Sequence, residues 1–389
     1  GTVRIANATA AHGSDTFAVA GIEAPIEIHA RAMPAGWTFA AGTLDARARA
    51  ISGTLGGMPV RAREVTLASA RPIARGFDLG TLRWTATELA FGELRLAGAA
   101  GTVDDQRTVR WHAVAARWHE VRATSPVGTI SARRVVGWRA PLVRWREVRI
   151  VDVESTITTR ELRWRAREAS HEGAHLIDPE GTVALDHGEH ALAWRRAVAG
   201  PLELGHGEIA LRTVSGGVQL GRVSVQAYGG QLALAQPGWI TVGQPLDLAV
   251  HGLQLHDTLR ALGLRRIDGR GLLDGHLELH ATATGWELGR ASLHSRGVGS
   301  LRAIDIAWLQ AAAKLATTER FGLHHRIAGA LADFDYAHLA IELGPRGARP
   351  ELRVALRGRG KRVWQDLDLV FNVRGVHSTI RHLSHRAPG

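Results

Sequence analysis

The chain has 389 residues, no cysteine and a formal net charge of +11, with Lys314 and Lys361 as its two lysines and arginine supplying the rest. The missing cysteines exclude disulfides and thiolate metal sites, and no apolar run reaches the roughly 18–20 residues that a membrane-spanning helix needs. Forty-five glycines against 13 prolines favour glycine turns over a proline-rich linker architecture, and the arginine excess reads as compositional bias rather than a phosphate-binding signature.

Residues 1–200 are patterned as strands. Phe17/Val19, Ile26/Ile28, Leu44/Ala46/Ala48, Leu82/Trp84/Ala86, Leu94/Leu96 and Val183/Leu185 are apolar partners two apart, the period of a half-buried strand. Glycines at 56–57, 80, 92, 98, 101, 128, 137, 181 and 188 are expected to mark turns. The clearest strand is ELRWRAR at 161–167: Leu162, Trp164 and Ala166 point one way, and Glu161, Arg163, Arg165 and Arg167 the other. This pattern predicts a meander with one oily and one solvated face. The spacing of its turns suggests no fixed repeat period. A soft boundary at Gly200-Pro201 separates an N-terminal part, 1–200, from a C-terminal part, 201–389, both expected to belong to one continuous sheet.

The second part alternates again at Val223/Val225/Ala227, Leu232/Leu234, Leu246/Leu248/Val250 and Leu277/Leu279/Ala281. LHDTLRALGL predicts a short helix over 255–264, with Leu255, Leu259 and Leu262 on one face. Asp257 is placed to cap it and Gly263 to stop it. A second short helix is expected near 303–316. The run LDLVFNV places Leu367, Leu369, Phe371 and Val373 on one face of a last strand.

Few motifs suggest chemistry. HEGAH at His171–His175 matches the zinc-protease signature, but that chemistry needs both histidines on one helix face. Gly173 at its centre and the strand before it favour a polar turn. His276 and His280 share the polar face of a strand with no third ligand in view, which suits solvated histidines. Arginine adjoins tryptophan at Trp84, Trp111, Trp118, Trp138, Trp145, Trp164 and Trp194. Nucleic-acid binding would need both on one surface, whereas strand neighbours face opposite sides. Gly269, Gly271 and Gly275 lack the spacing and the helix of a dinucleotide fingerprint. No nucleophile elbow, P-loop or catalytic triad is present, and Asp104, Asp105, Asp333 and Asp335 stand out in no way from surface carboxylates. The expectation is a protein that is not an enzyme and has no cofactor.

Gly229-Gly230, then LDLAVHGLQLHDTLRALGL, IDGRGLLDGHLELHATATGWELGRASLHSRGVGSL, AIDIAWLQAAAKLA, ALADFDYAHLAIEL and ELRVALRGRGKRV, is similar to the AsmA-like bridge-protein superfamily, nearest its YdbH branch. The resemblance covers residues 205–373 and rests on Leu331, Phe334, Tyr336, Leu339 and Gly358. Val298-Gly299 stands where that branch has Pro-Gly, and Arg359-Gly360 where it has Asn-Pro. The resemblance implies an elongated, twisted antiparallel sheet curled into a hydrophobic groove, a β-taco, that conducts phospholipids between inner and outer membranes. It further implies a periplasmic location, an inner-membrane anchor in a segment absent from this chain, and envelope proteins as further partners; no nucleic acid is expected. The groove lining would be Leu162, Trp164, Leu232, Leu234, Leu246, Leu248, Val250, Leu277, Leu279, Leu339, Ile341, Leu367, Leu369 and Phe371. The runner-up is a non-enzymatic β-sandwich, an interaction or cell-envelope structural module. A transmembrane β-barrel would need aromatic girdles that two tyrosines do not supply, and a metallohydrolase would have to be built on His171 and His175.

Overall fold

The structure is a computed structural model of a mainly β protein. It describes residues 2–373 apart from 13–14, 26–27, 34–35, 56, 70–80, 105–107, 132–135, 159, 186–187, 200–201, 215–216, 241–243, 262–266, 283–284, 304–328, 330–331, 347–348 and 362–364. The described strands form one 30-stranded antiparallel sheet, plus a separate hairpin of Ile28–Met33 with Gly36–Ala41. The chain divides into two compact units, residues 1–172 with 178–186 and residues 173–177 with 187–389.

In the first unit the strand run is bent midway, within a strand at Met58–Ser69, Leu94–Val103 and Val148–Ile157, and at a break next to a short strand at Val127–Ile130 and Glu180–Ala184. A residue with left-handed backbone marks the bend at Glu64, Gly98, Ser125, Asp152 and Asp178, with φ between 45° and 57°. Asp and Ser tolerate this region better than most residues because a short polar side chain can bond locally. The Asp152 side chain also accepts a 2.7 Å bond from the Arg167 guanidinium, which lies between the strands Glu161–Arg165 and Glu168–His171. The bend also resets the inward alternation. Along Val136–Trp145 the inward positions are Val136, Trp138 and Ala140, then Val143; along Val148–Ile157 they are Ile150, then Val153 and Ser155. The apolar side chains on both arms of a bent strand therefore face into one cluster. Ala140, Val143, Val153 and Ala166 are buried together, with Trp138 and Trp164 from one arm and Ile150 and Val121 from the other packed against them.

These bent hairpins are an internal repeat, contrary to the sequence expectation of no fixed period. Trp84, Trp111, Trp138 and Trp164 recur every 26 or 27 residues, as do Ala86, Ala113, Ala140 and Ala166, and the bends at Gly98, Ser125, Asp152 and Asp178. Several glycines expected at turns, Gly98 and Gly137 among them, lie within strands instead, and Gly56 and Gly80 lie outside the described residues. Gly101, Gly128 and Gly181 sit mid-strand, directly paired with Trp84, Trp111 and Trp164. A Cβ on Gly181 would meet the Trp164 ring at 2.5 Å, and one on Gly128 would run into Trp111. At these three positions glycine leaves the space in which the indole lies across the neighbouring strand.

The second unit is closed by its helix. Leu255–Ala261 forms the expected helix, the rest of its expected span lying outside the described residues, and Asp257 lies inside its first turn rather than capping it. Thr258 donates its hydroxyl to the Gln254 carbonyl at 2.9 Å, and the Leu255 N–H donates to Gly271. Gly263 is outside the described residues. Of the second expected helix only Ala303 is described, and it ends the strand Gly299–Ala303. Leu255 and Leu259 enter a cluster with Val250, Leu253, Leu273, Phe334, Tyr336, Leu339 and Leu356. The Tyr336 hydroxyl donates to the Arg270 carbonyl at 2.9 Å, and burial pushes its pKa up. Phe334, Tyr336 and Leu339, which carry the family resemblance, thus form the centre of this core. Gly358 pairs with Tyr336, and Leu331 lies outside the described residues. Asp274 holds the left-handed Gly252 N–H at 2.8 Å and the Arg296 guanidinium at 2.6 Å. Those bonds to its charged form keep its pKa below the usual carboxylate range.

Candidate apolar binding face

Strand register arranges the inward side chains of the first unit in rows that run across the strands. One row is Trp84, Gly101, Trp111, Gly128, Trp138, Ser155, Trp164 and Gly181, each residue directly opposite the next. At ~4.8 Å per strand the row extends about 34 Å. The row beside it, away from the bend, is entirely branched aliphatic: Leu82, Val103, Val109, Ile130, Val136, Ile157, Leu162 and Val183. On the bend side lie Ala86, Ala99, Ala113, Ala140, Val153 and Ala166, each at most 7% exposed. The alanines at the bend are therefore enclosed, whereas the indoles and the aliphatic row are half-buried, apart from Ile130 at 41% exposure. Of these rows only Leu162 and Trp164 were expected as lining. The repeat of Trp at 26 or 27 residues was the signal that would have found the others.

In the second unit the expected residues fall on the same kind of rows. Leu232, Val250, Gly275, Leu293, Ile341, Val354 and Phe371 are opposed in turn, and so are Leu234, Leu248 and Leu277. Leu246 is opposite Leu279, and Leu339 is linked to Leu369 through Leu356. Leu367 pairs with Gly358. Leu232, Leu234, Leu277, Leu279 and Ile341 are half-buried, while Leu246 and Leu248 are buried. Val250 and Leu339 are expected to line a groove but are enclosed at 0% and 1% exposure, because they share the cluster that Leu255 and Leu259 of the helix enter. The side chains of Leu367, Leu369 and Phe371 are outside what the structure describes.

The charged motifs resolve into local pairs. His171 and His175 flank a hairpin turn in which Glu172 and Gly173 have positive φ, so the helix a zinc protease requires is absent there. His171, Glu172 and Glu147 lie close enough to share an ion, but all three are exposed, and His175 is not among them. His276 approaches Asp247 at 3.4 Å and His280 approaches Glu278 at 3.9 Å. Asp104 accepts bonds from Thr108 and Arg110 in a turn, and Lys361 sits 2.9 Å from Asp335. On the polar side of the bend a cleft of about 600 Å³ is lined by Arg139, Arg165, Arg167, Asp152, Glu154 and Asp178. Two of its arginines pair with two of its acids, Arg165 with Glu154 and Arg167 with Asp152. Among the described residues no helix is long and apolar enough to cross a membrane.

No family model, curated protein or solved structure matches this chain.

Proposed function

We propose that the protein is a lipid-conducting bridge that shields phospholipid acyl chains on its apolar face during transfer between the inner and outer membranes of a cell envelope, working in the periplasm and without a cofactor. The observation that carries this reading is the unbroken, half-exposed apolar track of the first unit, indole and aliphatic rows side by side across eight strands. An acyl chain leaving a bilayer loses about 0.8 kcal/mol per exposed CH₂, and a track that continues from strand to strand offsets that loss at every step. Conduction of this kind needs no reacting group. The AsmA-like resemblance over 205–373 supports the same reading from the other unit.

The test is native mass spectrometry of the purified chain, with extraction of co-purifying lipid. Bound phospholipid that is lost in an Ile130→Lys, Ile157→Lys variant of unchanged stability is the expected result. A clean lipid-free mass with no uptake from liposomes would overturn it. That outcome would favour the second reading, a non-enzymatic interaction or envelope structural module, whose support is the helix-closed core of the second unit around Val250, Leu273 and Leu339.

A further inference from the structure

The polar side of the first unit carries two charged rows that treat the same physical problem differently. Near the bend, Arg139, Glu154, Arg165 and Glu180 are directly opposed on four successive strands and alternate in sign. Arg165 reaches Glu154 at 2.6 Å. Nearer the hairpin ends, Arg95, Arg117, Arg122, Arg144 and Arg149 are directly opposed on five successive strands with no change of sign. Like charges directly opposite destabilise a sheet. All five are exposed. Apart from a 3.3 Å bond from the Arg117 Nε to the His119 carbonyl, their guanidinium groups make no hydrogen bond or ion pair with another described residue. The turns beyond them hold Glu93, Glu120 and Glu147, but Glu120 is engaged by Arg146 at 2.6 Å. What remains is a register-locked cationic ladder about 19 Å long at ~4.8 Å per strand.

The same hairpin ends carry Trp118 and Trp145, 55% and 50% exposed, on the opposite face from the arginines. A single-stranded nucleic acid needs rings on the face that holds its phosphates, and here the rings are on the other side. A bilayer meets a hairpin end from both faces at once, with guanidiniums among the phosphates and indoles at interfacial depth. We propose that this ladder, with Trp118 and Trp145, docks the hairpin ends of the first unit onto an anionic phospholipid surface. Docking needs only these side chains, so the inference does not depend on the conduit.

Flotation of the full chain with phosphatidylcholine vesicles, with and without phosphatidylglycerol, tests it. The informative variant is Arg117→Glu with Arg144→Glu, which alternates the sign along the ladder as the neighbouring row already does. Its thermal stability is expected to hold or rise, while binding to phosphatidylglycerol vesicles falls roughly a hundredfold. Three results would overturn the proposal: equal binding to neutral and anionic vesicles, undiminished binding by the variant, or tighter binding of the wild type to single-stranded DNA than to anionic vesicles. Because co-purifying lipid is measured separately, loss of docking with lipid retained, or the reverse, tells the two functions apart.

Discussion

Both units present opposed apolar rows on one face of an antiparallel sheet, yet they use them differently. In the second unit the rows are leucine, valine and aromatic, and a seven-residue helix presses Leu255 and Leu259 into them. Val250, Leu273 and Phe334 retain no exposed surface. In the first unit the rows are indole over glycine and small side chains at the bend, and among the described residues its clusters are built from the two arms of the bent strands. Exposure there ranges from 1% at Ala99 to 41% at Ile130. The same cross-strand register thus yields a closed core where a helix covers it and a half-buried apolar surface where the strand itself bends. A row of leucines is no evidence for a binding face until its cover is known.

The largest effect is expected where the core is closed. Phe334→Ala removes a fully buried ring from the cluster under the helix and should cost about 3–5 kcal/mol, read as a lowered denaturant midpoint. If the units differ as described, the loss belongs to the second unit, and hydrogen exchange of the strands from Leu82 to Ile157 should hardly change. Uniform loss of protection in both would show that the closed core supports the open face. A smaller effect is expected at Gly128, where valine would push against the Trp111 ring and cost about 1–3 kcal/mol. The combination with Trp111→Ala should cost less than the two separate losses together, because the displaced ring is gone. Additive losses would mean that the glycine serves its own backbone and not the indole.

Much of this was legible beforehand, and the failures have physical causes. The strand class, the two-sided pattern of ELRWRAR and the outward arginines follow from a period of two. The helix at 255 follows from the spacing of Leu255 and Leu259. The 26–27-residue repeat was hidden by the bend. A left-handed residue at Ser125 or Asp152 resets the alternation, so each strand reads as two short unrelated runs. Gly101, Gly128 and Gly181 were misplaced because glycine punctuates turns far more often than it makes room for a neighbour's ring, and that neighbour is 17 residues away in sequence. Enclosure of Val250 and Leu339 was not legible, since alternation identifies a face but not what covers it.

The smallest expected effect sharpens the account of the indole row. Ser155 stands where the other repeats have Gly101, Gly128 and Gly181, directly between Trp138 and Trp164. It is 6% exposed, and its hydroxyl has no hydrogen-bond partner. A buried hydroxyl without a partner costs about 1–3 kcal/mol, whereas its Cβ is already accommodated. Ser155→Ala should therefore stabilise the protein by about 1 kcal/mol, seen as a higher urea midpoint at unchanged slope. Ser155→Gly should gain less, because glycine in a strand adds back about 0.5–1 kcal/mol of backbone entropy. The order Ala above Gly above wild type places the cost in the hydroxyl. Gly above Ala would place it in the Cβ and mean that the rings of Trp138 and Trp164 need the space that glycine leaves at the other three positions. A loss in both variants would show that the hydroxyl is bonded in solution, and that this repeat is held by a polar contact the others lack.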